Sequence, residues 1–295
     1  MFQLYDAHGP IEAITEETAV TVGVFDGVHR GHQQLLAQMT GHRLVVTLTA
    51  HPSFVLGRRD SEYWLDDPKE HLRLLFAAGM KYVAVLPFTA EVAQMSACTM
   101  AHLLYDQLNM RSLLLGYDSR FGSKQNDDFD RLPQLATELG FTLQRGTPFL
   151  VAGEPISSSR IRSSLAEGRV EDTAALLGRS YSVTGCVQHG RSVGHTLGFP
   201  TANVDLSQTR KMLPKEGVYA VRVGSHSGMA NLGPVPTFSV DKPLLEVHLL
   251  DFNGDLYGQT VTVEFIHRLR DTMRFNSPEA LRAQLQQDLY ACRQL

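Results

Sequence analysis

Residues 20–34 read Val-Thr-Val-Gly-Val-Phe-Asp-Gly-Val-His-Arg-Gly-His-Gln-Gln, and the way they fold decides how the rest of the chain is arranged. Val20 to Val24 is a short β-branched run, the composition of a buried strand. Gly23 and Gly27 bracket a tight corner that carries Phe25 and Asp26. His29 to Met39 then reads as a helix with Leu35 and Leu36 facing inward. His29 and His32 are three apart and so share one face of that helix. Gly31 between them has no side chain, which lets a ligand come close to the backbone. First-turn amides are unpaired and the helix dipole is positive at this end. Two imidazole donors added there make a place for a polyphosphate. Two histidines at a helix start are also a common solvated feature, so their placement directly after the first strong strand carries the weight.

Outward from this stretch, strands and helices alternate. Strands are expected at Arg43–Thr49, Tyr82–Leu86, Ser112–Gly116 and Phe141–Gln144, and helices at Pro68–Ala78, Thr99–Leu108 and Phe129–Leu139. Gly79 and Gly140 are fitting helix stops. The alternation implies a parallel, doubly wound α/β sheet of Rossmann-like form. Right-handed crossovers would then bring Phe25-Asp26, His51-Pro52 and the Gly116–Gly122 segment, with Asp118 and Phe121, to one edge.

The chain has 295 residues, long enough for two domains, with 43% hydrophobic and 20% charged residues, a globular balance. Its net charge of −4 argues against a large nucleic-acid surface. Cys98, Cys186 and Cys292 form no close pair, so neither a disulfide framework nor a zinc site is expected. No basic and apolar leader opens the sequence, and no stretch is of membrane-spanning length. The expected class is a reduced, cytoplasmic protein with no membrane partner, and a monomer is favoured over an oligomer.

Residues 156–168, Ile-Ser-Ser-Ser-Arg-Ile-Arg-Ser-Ser-Leu-Ala-Glu-Gly, place serines before a helix. Serines there are commonly N-caps. They and Arg162 also suit a triphosphate approached from the side opposite the histidines. Near residue 180 the helical period stops. Short strands at Tyr181–Gln188, Gly217–Val223, Gly228–Leu232, Leu244–Phe252 and Thr260–Leu269 suggest a small antiparallel barrel. A last helix starts at Ser277-Pro278, with Leu281, Leu285 and Leu289 as its stripe. The expected domains are therefore 1–180 and 181–295.

Two stretches in the second half carry chemistry. In Gly198-Phe199-Pro200-Thr201-Ala202-Asn203, Thr201 and Asn203 point the same way along an extended backbone. Their neutral oxygens suit magnesium beside a nucleotide, and Gly198 lets backbone approach phosphates. In Leu245-Glu246-Val247-His248-Leu249, Glu246 reads as an acid aimed into an otherwise apolar barrel, a candidate general base for a substrate hydroxyl. An exposed edge carboxylate is the plainer alternative.

These motifs together resemble a known family. His-Arg-Gly-His is similar to the H-x-G-H of nucleotidylyltransferases, a motif shared with class I aminoacyl-tRNA synthetases, whose Lys-Met-Ser-Lys-Ser loop is absent here. Ile-Ser-Ser-Ser-Arg-Ile-Arg resembles the signature of bacterial flavin adenylyltransferases, with Ser159 where threonine is usual. Leu-Gly-Phe-Pro-Thr-Ala-Asn, Ala230-Asn231-Leu232-Gly233 and Pro236-Thr237-Phe238 resemble bacterial riboflavin kinase. The resemblance covers essentially the whole chain and is to the bifunctional riboflavin kinase/FAD synthetases. It implies that the chain phosphorylates riboflavin to FMN and adenylylates FMN to FAD, with ATP as co-substrate and Mg2+ as cofactor. His29, His32 and Glu246 would be catalytic. Gly23, Phe25, Asp26, Gly31, Ser158, Ser159, Arg162, Gly198, Thr201 and Asn203 would bind nucleotide, and Asp118, Phe121 and Arg270 flavin. His195 and Val235 stand where the family usually has Arg, and Asn126 where it has Gly. A transferase acting on another phosphate ester, or a barrel that binds flavin without turning it over, are the alternatives.

Overall fold

Apolar β-branched runs separated by amphipathic helices give the first half one solution, a sheet covered on both faces. The computed structural model describes residues 2–49, 64–119, 121–123, 128–189, 198–233 and 244–295. His51-Pro52, Arg120, Asn126, His195, Val235 and Pro236-Thr237-Phe238 lie outside these. The chain divides into two compact units, Met1–Ser158 and Ser159–Leu295.

In the first unit the order is β1 (Gln3–Asp6), β2 (Gly9–Ile11), β3 (Thr18–Val22), α1 (Arg30–Ala37), β4 (His42–Leu48), α2 (Pro68–Ala77), β5 (Tyr82–Leu86), α3 (Ala90–Gln94), α4 (Ala97–Gln107), β6 (Met110–Leu115), a 3-10 turn (Phe129–Arg131), α5 (Leu132–Leu139), β7 (Thr142–Arg145), β8 (Leu150–Val151) and β9 (Glu154–Pro155). The main sheet runs β2-β1-β5-β4-β3-β6-β7. β5, β4, β3, β6 and β7 are parallel, while β1 joins β5 antiparallel and carries β2 outside it. The period of two splits the core. Val20, Leu44, Val46 and Ala84 pack with Ala101 and Leu104 of α4 and Leu135 of α5. Ala19, Val45 and Val83 pack on the other face with Leu36 of α1 and Leu75 of α2. From β3 the chain builds outward to β4 and β5, then returns to place β6 and β7 on β3's other side. The switch point therefore falls between β3 and β6, where open α/β sheets hold ligands.

The second unit begins within α6 (Ser158–Ala166) and continues with α7 (Val170–Leu177), β10 (Tyr181–Gln188), β11 (Ala202–Asp205), β12 (Gly217–Val223), β13 (His226–Gly233), β14 (Leu244–Leu249), β15 (Thr260–Arg270) and α8 (Pro278–Cys292). The strands close into an antiparallel barrel, β10-β11-β14-β13-β12-β15. By compactness the chain divides at Ser158/Ser159, and α7 packs against β10 and β15. Val183, Val187, Val204, Leu232, Leu245, Val247 and Val263, all nearly or fully buried, alternate along their strands as a barrel interior requires. α8 is capped by Ser277, which accepts the Ala280 amide at 3.2 Å, with Pro278 in its first turn. Its Leu285, Leu289 and Cys292 pack with Phe199, Ala220, Met229 and Leu250 on the barrel's outer wall.

Candidate active sites

The strand-to-helix corner after β3 is conformationally unusual. Phe25, Gly27 and Val28 have φ of 52°, 85° and 34°, and a β-branched residue rarely adopts a positive value. The corner closes on itself through the Val28 amide donating to Phe25 O at 2.8 Å, and Gly23 N donates to Val46 O at 3.0 Å. Phe25 points into the core. Asp26 is also buried; its Oδ1 accepts the Leu65 amide at 2.8 Å and its carbonyl accepts the Ser158 hydroxyl at 2.9 Å. Phe25 and Asp26 thus shape the corner from within.

His29 is the N-cap of α1. Its Nδ1 accepts the His32 amide at 3.2 Å, so in the neutral ring the proton sits on Nε2. The two imidazoles stack with centroids 3.5 Å apart, and Phe25 meets His32 edge-on at 5.1 Å. Burial pushes the His32 imidazole well below its ordinary value, with His29 and His71 adding to the effect, so His32 is a neutral ring whose buried Nδ1 has no hydrogen-bond partner among the described residues. Gly31 also bears on the packing of these rings. A Cβ there would lie 3.2 Å from the His29 ring and 3.5 Å from Ile156, so the missing side chain makes room for His29 itself.

Across the switch point, the turn after β6 is held by Ser119 N donating to Gly116 O at 3.1 Å and by Arg145 Nη1 donating to Gly116 and Tyr117 carbonyls at 3.3 and 3.1 Å. Asp118 is exposed on this turn. Phe121 is buried in the core beside α4 and α5. Ser158 opens α6, and Ser159 and Arg162 follow on that helix in the second unit.

In the barrel, one expectation is corrected. Glu246 does not point into the interior: Leu245, Val247 and Leu249 fill that face, while Glu246 and His248 are half-buried on the outer one. An alternating strand buries its more apolar set, which here is the leucine and valine set. Directly opposed residues share a face, and Glu246 is opposed by Asn203 on β11 and Asn231 on β13. The sequence assigns Asn203 to magnesium and nucleotide and names Asn231 only within a family motif; their pairing with Glu246 comes from the sheet register. On this wall a cavity of about 550 Å³ is lined by Phe199, Thr201, Met229, Asn231, Glu246, His248, Arg270, Phe275, Leu281 and Leu285, among others. Among the described residues the Glu246 carboxylate accepts no hydrogen bond, which leaves it available to a ligand. His248 Nδ1 lies 2.8 Å from Pro200 O, and so donates to the carbonyl just before Thr201. Gly198 has a φ of 85° and is exposed.

Arg270 lines the cavity, but its guanidinium is engaged. Nε and Nη2 take both Asp288 oxygens of α8 at 2.7–3.1 Å, and Nη1 donates to Asp271 O at 3.0 Å. Asp288 is 4% exposed, so a buried carboxylate of the last helix fixes this arginine against the wall.

A model of FAD synthetase matches residues 11–160, and a model of riboflavin kinase matches residues 177–295. The bifunctional riboflavin kinase/FMN adenylyltransferase of Escherichia coli is 35% identical over 300 residues, covering 97% of this chain and 95% of the relative. The chain belongs to this family. The family member of Haemophilus influenzae is 35% identical, covering 94% of this chain and 93% of its own, and that of Pseudomonas fluorescens is 36% identical, covering 93% and 92%. Among solved structures, a Streptococcus pneumoniae protein described as a macrolide-efflux protein matches with a TM-score of 0.86 and 29% identity, over 96% of each chain. No helix among the described residues here is long and apolar enough to cross a membrane. Membership places the two family domains, matched at residues 11–160 and 177–295, in one chain.

Proposed function

We propose that the two sites run consecutive steps of flavin-cofactor synthesis, with residues 1–180 carrying adenylyl transfer and 181–295 phosphoryl transfer. The chain is a riboflavin kinase and an FMN adenylyltransferase. The observation that carries the residue assignment is the half-buried carboxylate of Glu246 in the wall of the barrel cavity, flanked by asparagines on both neighbouring strands.

In the kinase step, Glu246 accepts the proton of the terminal ribityl hydroxyl as that oxygen attacks the γ-phosphorus of ATP and ADP leaves. Apolar Phe199, Met229, Phe275 and Leu285 suit a flavin ring in the same cavity. Thr201 and Asn203 share the Glu246 face and offer neutral oxygens, a donor set that fits Mg2+ when phosphates supply its remaining ligands. Magnesium so held would neutralise charge on the triphosphate. His248 fixes the backbone that presents Thr201.

In the second step a phosphate oxygen of FMN attacks the α-phosphorus of ATP and pyrophosphate leaves. The nucleophile is already an anion, so positioning and charge stabilisation are sufficient. His29 and His32, with the first-turn amides of α1 other than that of His32, which His29 Nδ1 already accepts, receive the phosphates as hydrogen-bond donors. The corner that holds Gly23, Phe25 and Asp26 shapes this receptor, and Asp118 on the opposite turn would face flavin. Ser158, Ser159 and Arg162 are assigned to the leaving pyrophosphate on their motif. A cytoplasmic setting and a monomeric state fit such an enzyme.

The test is incubation of the purified protein with riboflavin, ATP and magnesium, with flavins separated over time. FMN followed by FAD supports both sites. FAD formed only from supplied FMN would leave the barrel a binding module, and no product from either flavin would refute the reading.

A further inference from the structure

Beneath the histidine pair lies a chain of polar side chains that neither step uses. Thr47, at the end of β4, is 3% exposed, and its hydroxyl donates to Val24 O at 3.1 Å. The same oxygen lies 3.2 Å from His71 Nε2 in the first turn of α2. His71 Nδ1 is 3.2 Å from Asp66 Oδ2, which also accepts the Gly27 amide at 2.8 Å. Asp66 is 2% exposed. Side chains from β4, α2 and the segment before α2 therefore link the two ends of the Val24–Gly27 corner.

Proton counting gives the chain a direction. A carbonyl only accepts, so Thr47 gives its one hydroxyl proton to Val24. The Asp66 carboxylate also only accepts, so His71 Nδ1 donates to it, while the Nε2 edge of the ring meets the Thr47 oxygen at 3.2 Å. The corner it grips contains Phe25, Gly27 and Val28 at positive φ, a conformation that local sequence does not favour and that persists only where surrounding structure imposes it.

We propose that Thr47, His71 and Asp66 are positioning residues for adenylyl transfer, holding the corner from outside so that His29, His32 and the first-turn amides of α1 face the ATP phosphates. This rests on the reading of that corner as the phosphate receptor. None of the three touches the reacting atoms; they act through Val24 O and Gly27 N.

The experiment compares Thr47→Val, Thr47→Ser, His71→Leu and His71→Gln in the full chain, with both activities measured on each. Thr47→Val and His71→Leu are expected to raise the KM for ATP in FAD formation at least tenfold, with a smaller fall in kcat and unchanged riboflavin phosphorylation. Thr47→Ser keeps the hydroxyl and is expected within threefold of wild type, with His71→Gln in between. Hydrogen exchange of the Gly27 amide gives a readout independent of catalysis and is expected to accelerate at least tenfold in His71→Leu. An ATP KM within twofold of wild type in both Thr47→Val and His71→Leu would overturn the proposal. So would a Thr47→Ser as impaired as Thr47→Val, or an unchanged Gly27 exchange rate. A wild-type protein that forms no FAD from FMN would instead refute the phosphate-receptor reading, while the exchange rates still judge the network.

Discussion

Replacing Asp288 with alanine tests how the last helix supports the barrel cavity proposed to hold riboflavin. Asp288 holds the Arg270 fork at 2.7–3.1 Å and accepts the Gln284 amide at 3.0 Å. Its side chain is 4% exposed and that of Arg270 16%, so water does little to compensate either. Removing one partner of a buried pair costs roughly 3–5 kcal/mol, because the other charge is left without its counterion. Arg270 borders a cavity and keeps a bond to Asp271 O, so the low end applies, about 3 kcal/mol or roughly a hundredfold in the folding equilibrium. The assay is urea unfolding followed by circular dichroism, with the KM for riboflavin measured in parallel. Asp288→Ala is expected to lower the barrel's stability by that amount and to raise the KM for riboflavin, since the cavity wall formed by Arg270 loosens. Arg270→Met with Asp288→Leu, which leaves no charge behind, is expected to recover most of the stability. Asp288→Ala within 1 kcal/mol of wild type, or a double variant whose loss equals the sum of the single ones, would refute the reasoning.

Two further outcomes follow from the adenylyl corner. His32 stays neutral in the fold, its value lying well below the unfolded 6.5, chiefly through burial. Below pH 6.5 the unfolded chain binds a proton that the fold rejects, so stability is full above that pH and falls as the pH drops, by up to about 1.4 kcal/mol per unit. His32→Asn should flatten this slope in denaturation series at pH 7.5, 6.0 and 5.0, and equal slopes would contradict it. Gly31→Ala places a methyl 3.2 Å from the His29 ring. It should slow FAD formation at least tenfold by turning that ring, with FMN formation unchanged; a variant within twofold of wild type would show that the ring yields freely.

Most of the fold was legible because its signals are local. The parallel strands were placed within about two residues, since buried β-branched runs bounded by Gly and polar turns have few other solutions. β1 and β2 were not read: they are short, mixed in polarity and joined antiparallel at the edge, where no period of two is enforced. β8 and β9, two residues each, offer no pattern at all. The face of Glu246 was misread because Leu-Glu-Val-His-Leu alternates equally well with either set inward; the greater apolarity of Leu245, Val247 and Leu249 was the available clue. The engagement of Arg270 by Asp288 spans 18 residues, and the link from Asp66 to Gly27 spans 39. Neither pairing has a sequence signature, since Arg270, Asp288 and Asp66 each read alone as an ordinary surface charge and Gly27 as a turn residue. Motifs found the residues that line up along one element, and the structure was needed for those that meet across elements.

The central claim is that one chain holds two separate chemistries, one at His32 and one at Glu246. The direct measurement is FMN and FAD formation, assayed separately, in His32→Ala and Glu246→Ala. The account predicts that His32→Ala abolishes FAD formation from FMN and leaves riboflavin phosphorylation intact, and that Glu246→Ala does the reverse. FAD formation within a few-fold of wild type in His32→Ala, or FMN formation retained in Glu246→Ala, would contradict it.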